Sequence, residues 1–167
     1  QRRAADDEGQ QRELGAIRGQ VARLTHTVRQ LLDYSRPSAA EPRATSLRQV
    51  LDSAVAAITP ELEVAGRQLE LEADSTQTLP TVKGDPGRLE LALLNLLRNA
   101  LQASEQRLQV QLSQQQGQLR IDIDDDGPGL PEASREQLLE PFFTTKPPGE
   151  GTGLGLAIVN TIAEEHG

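Results

Sequence analysis

The apolar residues of this chain change their period once, and the change falls at Pro37. Before it, Leu14, Ile17, Val21, Leu24, Val28 and Leu31 are spaced three, four, three, four, three. That spacing is an a/d seam over about three heptads. It predicts a helical arm that pairs with other helices, and hence a homodimer through the arm; a single amphipathic helix packed on its own domain would share part of the pattern. Pro37 disfavours helical geometry in the residue before it, so the helix is expected to stop by Arg36. The reading divides the chain into an arm (1–36), a linker (37–46) and a domain (47–167).

After the linker, helix and strand signals alternate. Leu47, Val50, Leu51, Ala54, Val55 and Ile58 recur at helical spacing within 47–65. Residues 68–73 alternate Leu69 and Leu71 with polar neighbours, and 81–83 form a short strand candidate. Asp85 and Pro86 suit an N-cap and first turn for a helix over about 87–104. Leu108, Val110 and Leu112, then Leu119, Ile121 and Ile123, alternate on either side of Gln-Gln-Gly, which reads as a hairpin. A short helix over 154–165 closes the series. The fold class expected is α+β, a two-layer sandwich with helices on one face of a mixed or antiparallel sheet, preceded by the helical arm.

Composition narrows the chemistry. The aromatic residues are Tyr34, Phe142 and Phe143, so the core must be aliphatic, and two adjacent phenylalanines call for a separate reason. With no cysteine and only His26 and His166, a disulfide framework, a thiolate zinc site and a histidine cage are excluded. Lys+Arg 17 against Asp+Glu 25 gives a net charge of −8, which argues against nucleic acid or anionic lipid as a partner. No apolar run approaches the roughly 18 residues of a membrane span. No membrane contact by this chain is expected. The absence of methionine, a starting one included, suggests an internal piece of a longer protein whose anchor or sensor lies elsewhere; the localisation expected for this piece is cytoplasmic.

Three segments carry chemistry. The helix around 89–101 is apolar almost all round, yet Asn95 and Asn99 stand four apart and so on one face. They could bridge nearby backbone; they could also place amide oxygens on a hard cation such as Mg²⁺. Asp124-Asp125-Asp126-Gly127-Pro128-Gly129 ends the second hairpin strand. Its glycines let the backbone approach a flat ligand, and a strand-end carboxylate can accept from an exocyclic amine; a plain acidic turn has the same composition. Gly149-Glu150-Gly151-Thr152-Gly153-Leu154-Gly155-Leu156 leads into a helix. A flexible loop would read alike, but backbone N–H groups at a helix start suit phosphate. Just upstream, the phenylalanines of Glu140-Pro141-Phe142-Phe143-Thr144-Thr145-Lys146 either pack locally or hinge a lid, with Lys146 reaching phosphate oxygens.

Taken in order, Asn95-Leu96-Leu97-Arg98-Asn99-Ala100, Asp125-Asp126-Gly127-Pro128-Gly129, Pro141-Phe142-Phe143 and Gly151-Thr152-Gly153-Leu154-Gly155-Leu156 resemble the N, G1, F and G2 boxes of sensor histidine kinases. Their ATP-binding domain has the Bergerat fold. Leu31-Leu32-Asp33-Tyr34-Ser35-Arg36-Pro37 is similar to the end of the second helix of that family's dimerisation and phosphotransfer hairpin. The wording of Thr144-Thr145-Lys146 and Gly151-Thr152-Gly153 is most similar to the nitrogen-sensor and dicarboxylate-sensor branch.

The resemblance implies ATP and Mg²⁺ as cofactors, with Asn99 on the metal and Asn95 near the γ-phosphate. It implies that Asp125 receives the adenine amino group, that Gly127 and Gly129 shape the adenine pocket, and that Lys146 approaches the phosphates. Gly151, Thr152, Gly153, Leu154 and Gly155 would wrap the phosphates as a lid. Asn95 and Lys146 would act in phosphoryl transfer to a histidine, from which the group passes to an aspartate of a response-regulator receiver domain. The family's acceptor lies in a His-Glu-x-x-x-Pro motif, which does not occur here. His26, followed by Thr27-Val28-Arg29, occupies an outward heptad position and does not take the role; the acceptor is expected upstream, as further strands of the sheet are expected downstream. His166 matches the family's His-Gly. A nucleotide-binding scaffold without kinase activity and a serine-kinase anti-sigma factor of the same fold stay open as alternatives.

Overall fold

The computed structural model describes residues 42–73, 79–130, 135–147 and 151–166, together with Leu14, Ile17, Val21, Thr25, Val28 and Leu32. The chain divides into two compact units, Gln1–Arg36 and Pro37–Gly167. In the first unit the six described residues are helical, and the Thr25 hydroxyl donates to the Val21 carbonyl at 2.8 Å. Leu14, Ile17, Val21, Val28 and Leu32 are 52–64% exposed. Leu24, Leu31 and His26 lie outside the described residues.

The second unit runs β1 (Arg43–Thr45), α1 (Leu47–Ala65), β2 (Gln68–Ala73), β3 (Val82–Gly84), α2 (Pro86–Ala103), β4 (Arg107–Gln115), β5 (Gln118–Asp125), α3 (Arg135–Leu139) and α4 (Gly155–His166). Two sheets form, an antiparallel pair β1-β3 and a mixed sheet β2-β4-β5 in which β2 and β4 are parallel and β4 and β5 antiparallel. Register places Leu71 beside Val110 and Val110 beside Ile123, so one face of the mixed sheet is aliphatic. Against that face, Leu51, Ala54 and Ile58 of α1 and Leu93, Leu97 and Ala100 of α2 complete the core with Leu108, Val110 and Leu112. The opposite side of α2 offers Leu91 and Ala92 to a second cluster, Leu154, Ile158 and Ile162 around α4. A helix packed on two sides explains an almost continuous apolar sequence.

Local signals set most boundaries. Ser46 caps α1, its hydroxyl accepting from the Gln49 N–H, and Asp85 caps α2, its carboxylate accepting from Gly87 and Arg88 N–H with Pro86 in the first turn. The hairpin turns through Gln116 and Gly117, both at positive φ (51° and 85°), the geometry that matches strand twist in a two-residue loop. The linker expected over 37–46 is corrected at its end, because residues 43–45 form β1. Three residues are too few to show a period; the strand exists through β3, and the buried Thr45 hydroxyl donates to the Gly84 carbonyl at 2.8 Å. The short strand expected at 81–83 lies one residue later. Among the described residues no helix is long and apolar enough to cross a membrane.

Candidate functional site

α2 organises the site, because both glycine-bearing segments and the phenylalanine–lysine segment approach it. Asn95 is buried, and its Nδ2 donates to the Leu91 carbonyl one turn back at 2.9 Å. Its Oδ1 points at α4: a Cβ at Gly155 would stand 3.3 Å from it, and 3.6 and 3.9 Å from Nδ2 and Oδ1 of Asn99. The two amides predicted to share a face therefore meet the first residue of α4 at a distance where any side chain would crowd them.

The aspartate-glycine segment closes on the other end of the same helix. A Cβ at Gly127 would lie 2.3 Å from the Ala103 carbonyl oxygen, so no side chain fits there. Asp125, exposed at the end of β5, accepts the Gly127 N–H on Oδ1 at 3.0 Å. Its neighbour Asp126 has a different task, which sequence reasoning missed. Asp126 accepts the backbone N–H groups of Glu105, Gln106 and Arg107 at 2.9–3.2 Å, clamping the turn between α2 and β4 to the end of β5. The bonds from Gln106 and Arg107 hold its carboxyl below the usual carboxylate range. Three successive aspartates in sequence carry no sign of which one faces which neighbour.

The segment around the phenylalanines is tied to the glycine run. Phe142 has φ 69°, a conformation few bulky residues adopt, and its N–H donates to the Gly153 carbonyl at 2.9 Å. Gly153 itself has φ 67°, and a Cβ there would lie 2.4 Å from the Phe142 carbonyl carbon, so the close crossing requires glycine. The ring of Phe142 is exposed, so local core packing does not account for it. Lys146 is half-buried, and burial pushes its ammonium below the usual lysine range. Its Nζ donates to Oε1 of Gln102 on α2, and its own N–H donates to the Thr144 hydroxyl at 3.2 Å. Gly151 lies over this lysine, with a built Cβ 3.1 Å from Cδ.

Not every residue of the glycine box presents a side chain. Leu154 is buried with Ile158 and Ile162, so only its backbone can face a ligand. The Thr152 hydroxyl accepts the Leu154 N–H at 3.4 Å, and Gly129, at φ 80°, has open space around it. His166, at the end of α4, takes the Asp85 N–H on Nε2 at 2.9 Å and contacts the Ile162 carbonyl through Nδ1 at 2.8 Å. It thus fastens α4 to the start of α2. Among the described residues no three His, Cys, Asp or Glu side chains gather to hold a metal. The amide oxygens of Asn95 and Asn99 beside Gly155 are hard donors of the kind that suits Mg²⁺ nonetheless, since that ion commonly takes one or two protein ligands and completes its shell with phosphates and water.

The sequence model of the histidine kinase-, DNA gyrase B- and HSP90-like ATPases matches residues 84–167, the span that contains all of this geometry. The chain belongs to that ATPase family. It is 33% identical over 162 residues to the sensor histidine kinase ZraS of Escherichia coli (strain K12), covering 95% of this chain and 34% of ZraS. The similarity therefore reaches beyond the ATPase module into the amino-terminal unit. The chain spans about a third of the length of the curated relatives it matches. Among solved structures, the mycobacterial sensor histidine kinase MprB superposes with a TM-score of 0.63 at 32% identity, over 77% of this chain and 80% of MprB. Full-length ShkA in complex with AMPPNP superposes with a TM-score of 0.74 at 26% identity, over 90% of this chain and 32% of ShkA. The α+β sandwich expected from the sequence is the fold of this ATPase family.

Proposed function

We propose that this chain is the ATP-binding core of a dimeric sensor histidine kinase, which passes the γ-phosphoryl group of ATP to a histidine and thence to a response-regulator aspartate. The observation that carries the reading is the convergence on α2 of two glycine-bearing segments, at Gly127 and Gly155, and of the phenylalanine–lysine segment through Lys146. Asp125 accepts the adenine amino group; with Oδ1 already holding Gly127, the carboxylate keeps further lone pairs for that bond. Gly127 and Gly129 leave the adenine room. Asn99 would ligate Mg²⁺, and Asn95, whose amide donates to the Leu91 carbonyl, would approach the γ-phosphate. Bound Mg²⁺ would neutralise charge on the phosphates. Lys146 and the backbone of Gly151, Thr152, Gly153, Leu154 and Gly155 wrap the phosphate chain at the start of α4. Such a reaction asks the protein mainly to position and to stabilise charge, which amides, a lysine and backbone N–H groups supply.

The exposed apolar residues of the amino-terminal unit support a homodimer through that arm. A receiver domain is the protein partner. The acceptor histidine is provided by a helical hairpin that carries the His-Glu-x-x-x-Pro element, and His26 does not replace it. Titration calorimetry with ATP and Mg²⁺, followed by incubation with γ-labelled ATP and a separately supplied hairpin bearing that element, tests the reading. Expected are weak ATP binding, no label on the chain alone and acid-labile label on the hairpin. Absence of ATP binding overturns the reading. Binding without transfer favours the scaffold, and label lost in His26→Gln makes His26 the acceptor.

A further inference from the structure

The polar stripe of α2 continues past Asn99 to Gln102. Gln102 follows Asn95 by seven residues and Asn99 by three, so it shares their face and sits roughly 4.5 Å beyond Asn99 along the helix axis. Its Oε1 accepts from the Nζ of Lys146. Two further features shape that place. A side chain at Gly151 would crowd the lysine, a Cβ there lying 3.1 Å from its Cδ, and the lysine's backbone N–H donates to the Thr144 hydroxyl at 3.2 Å. The cation that would meet phosphate therefore has a neutral oxygen partner about one helical turn from the amide assigned to the metal. A carboxamide oxygen suits temporary holding: it accepts from an ammonium, yet a charged phosphate oxygen competes with it strongly.

We propose that Gln102 is a positioning residue that holds Lys146 on α2 until nucleotide arrives and then releases the ammonium to the phosphates. The proposal rests on the reading of Lys146 as a phosphate-binding residue. Half-burial of the lysine supports it, because an ammonium withdrawn from water needs an oxygen partner in the empty state. Holding also has a measurable consequence, since apparent affinity is reduced by the fraction of molecules in which the lysine is free. The bond is near the surface, so the reduction is modest, about threefold.

Nuclear magnetic resonance titration of the full chain with ATP and Mg²⁺ tests this in six proteins: wild type, Gln102→Ala and Gln102→Glu, each with Lys146 present and with Lys146→Met. Gln102→Ala is expected to raise ATP affinity about threefold, and Gln102→Glu, which turns the hold into an ion pair, to lower it. Both effects should vanish in the Lys146→Met background. In the nucleotide-free protein the Lys146 ε-methylene resonances should move in Gln102→Ala, a change that a merely structural glutamine would not produce. If Lys146→Met leaves ATP affinity unchanged, the phosphate role of Lys146 fails and the proposal with it. If Lys146→Met weakens ATP while Gln102→Ala does not strengthen it, the holding role alone is overturned. Weakening by Gln102→Glu that persists without Lys146 is plain charge repulsion and also overturns it.

Discussion

α2 has two sides that do opposite work. Towards α1 and β4 it presents Leu93, Leu97 and Ala100, closed in by Leu51, Ile58, Leu108 and Val110. Towards the segments that follow β5 it presents Asn95, Asn99 and Gln102, met by Gly155 and Lys146. On the first side shape and apolar area decide everything, and any tight aliphatic filling would serve. On the second side Leu91 and Ala92 still pack against α4, but at Gly155 the lack of a side chain brings backbone close to the two amides, so residue chemistry matters there. One helix thus anchors the fold and lines the site, and substitutions on its two sides should separate stability from binding.

The largest effect expected is on the closed side. Leu97→Ala removes a fully buried side chain and should cost about 2–5 kcal/mol of stability, read by denaturant unfolding. The folded fraction should bind nucleotide as before. On the open side, Asn99→Ala should abolish Mg²⁺-dependent ATP binding in calorimetry while changing stability by less than about 1 kcal/mol, since Asn99 is only part-buried. Unchanged affinity with normal circular dichroism removes Asn99 from the metal role and weakens the contrast.

A smaller effect sharpens the open side further. Asp125→Ala should lower affinity for adenine nucleotides by about tenfold, and for guanine nucleotides much less, because a charge-assisted bond to the amine is lost. Equal losses would mean general damage to the strand end. Smallest is Asp126→Asn. The folded-state carboxyl of Asp126 is held below its ordinary value, so its contribution is present above the ordinary aspartate pKa of about 3.9 and is lost as pH falls through the lower folded value. Asp126→Asn should therefore be less stable than wild type at neutral pH and show a shallower loss on acidification, measured by thermal unfolding across pH. Parallel curves for the two proteins would assign the clamp no electrostatic part.

Local information in the chain sufficed for elements whose cause is local. α1 spans 47–65 and β2 spans 68–73, as their spacing predicts; α2 starts at its Asp85 cap, and the hairpin turns at Gln116 and Gly117. In each, the side-chain period or a cap is written within a few neighbouring residues. The order of the asparagine, aspartate and glycine motifs likewise identified the ATPase family before any coordinate was needed. Tertiary structure alone decided what depends on distant partners. β1 exists because β3 lies beside it 39 residues later, β2 and β4 pair in parallel around an intervening helix, and adjacent aspartates divide into one that accepts from Gly127 two residues on and one that clamps the distant turn before β4. Gln102 meets Lys146 only because the fold brings the two together across 44 positions. A period or a cap is a property of neighbours along the chain; a hydrogen bond between distant residues is a property of the packed fold, and no spacing encodes it.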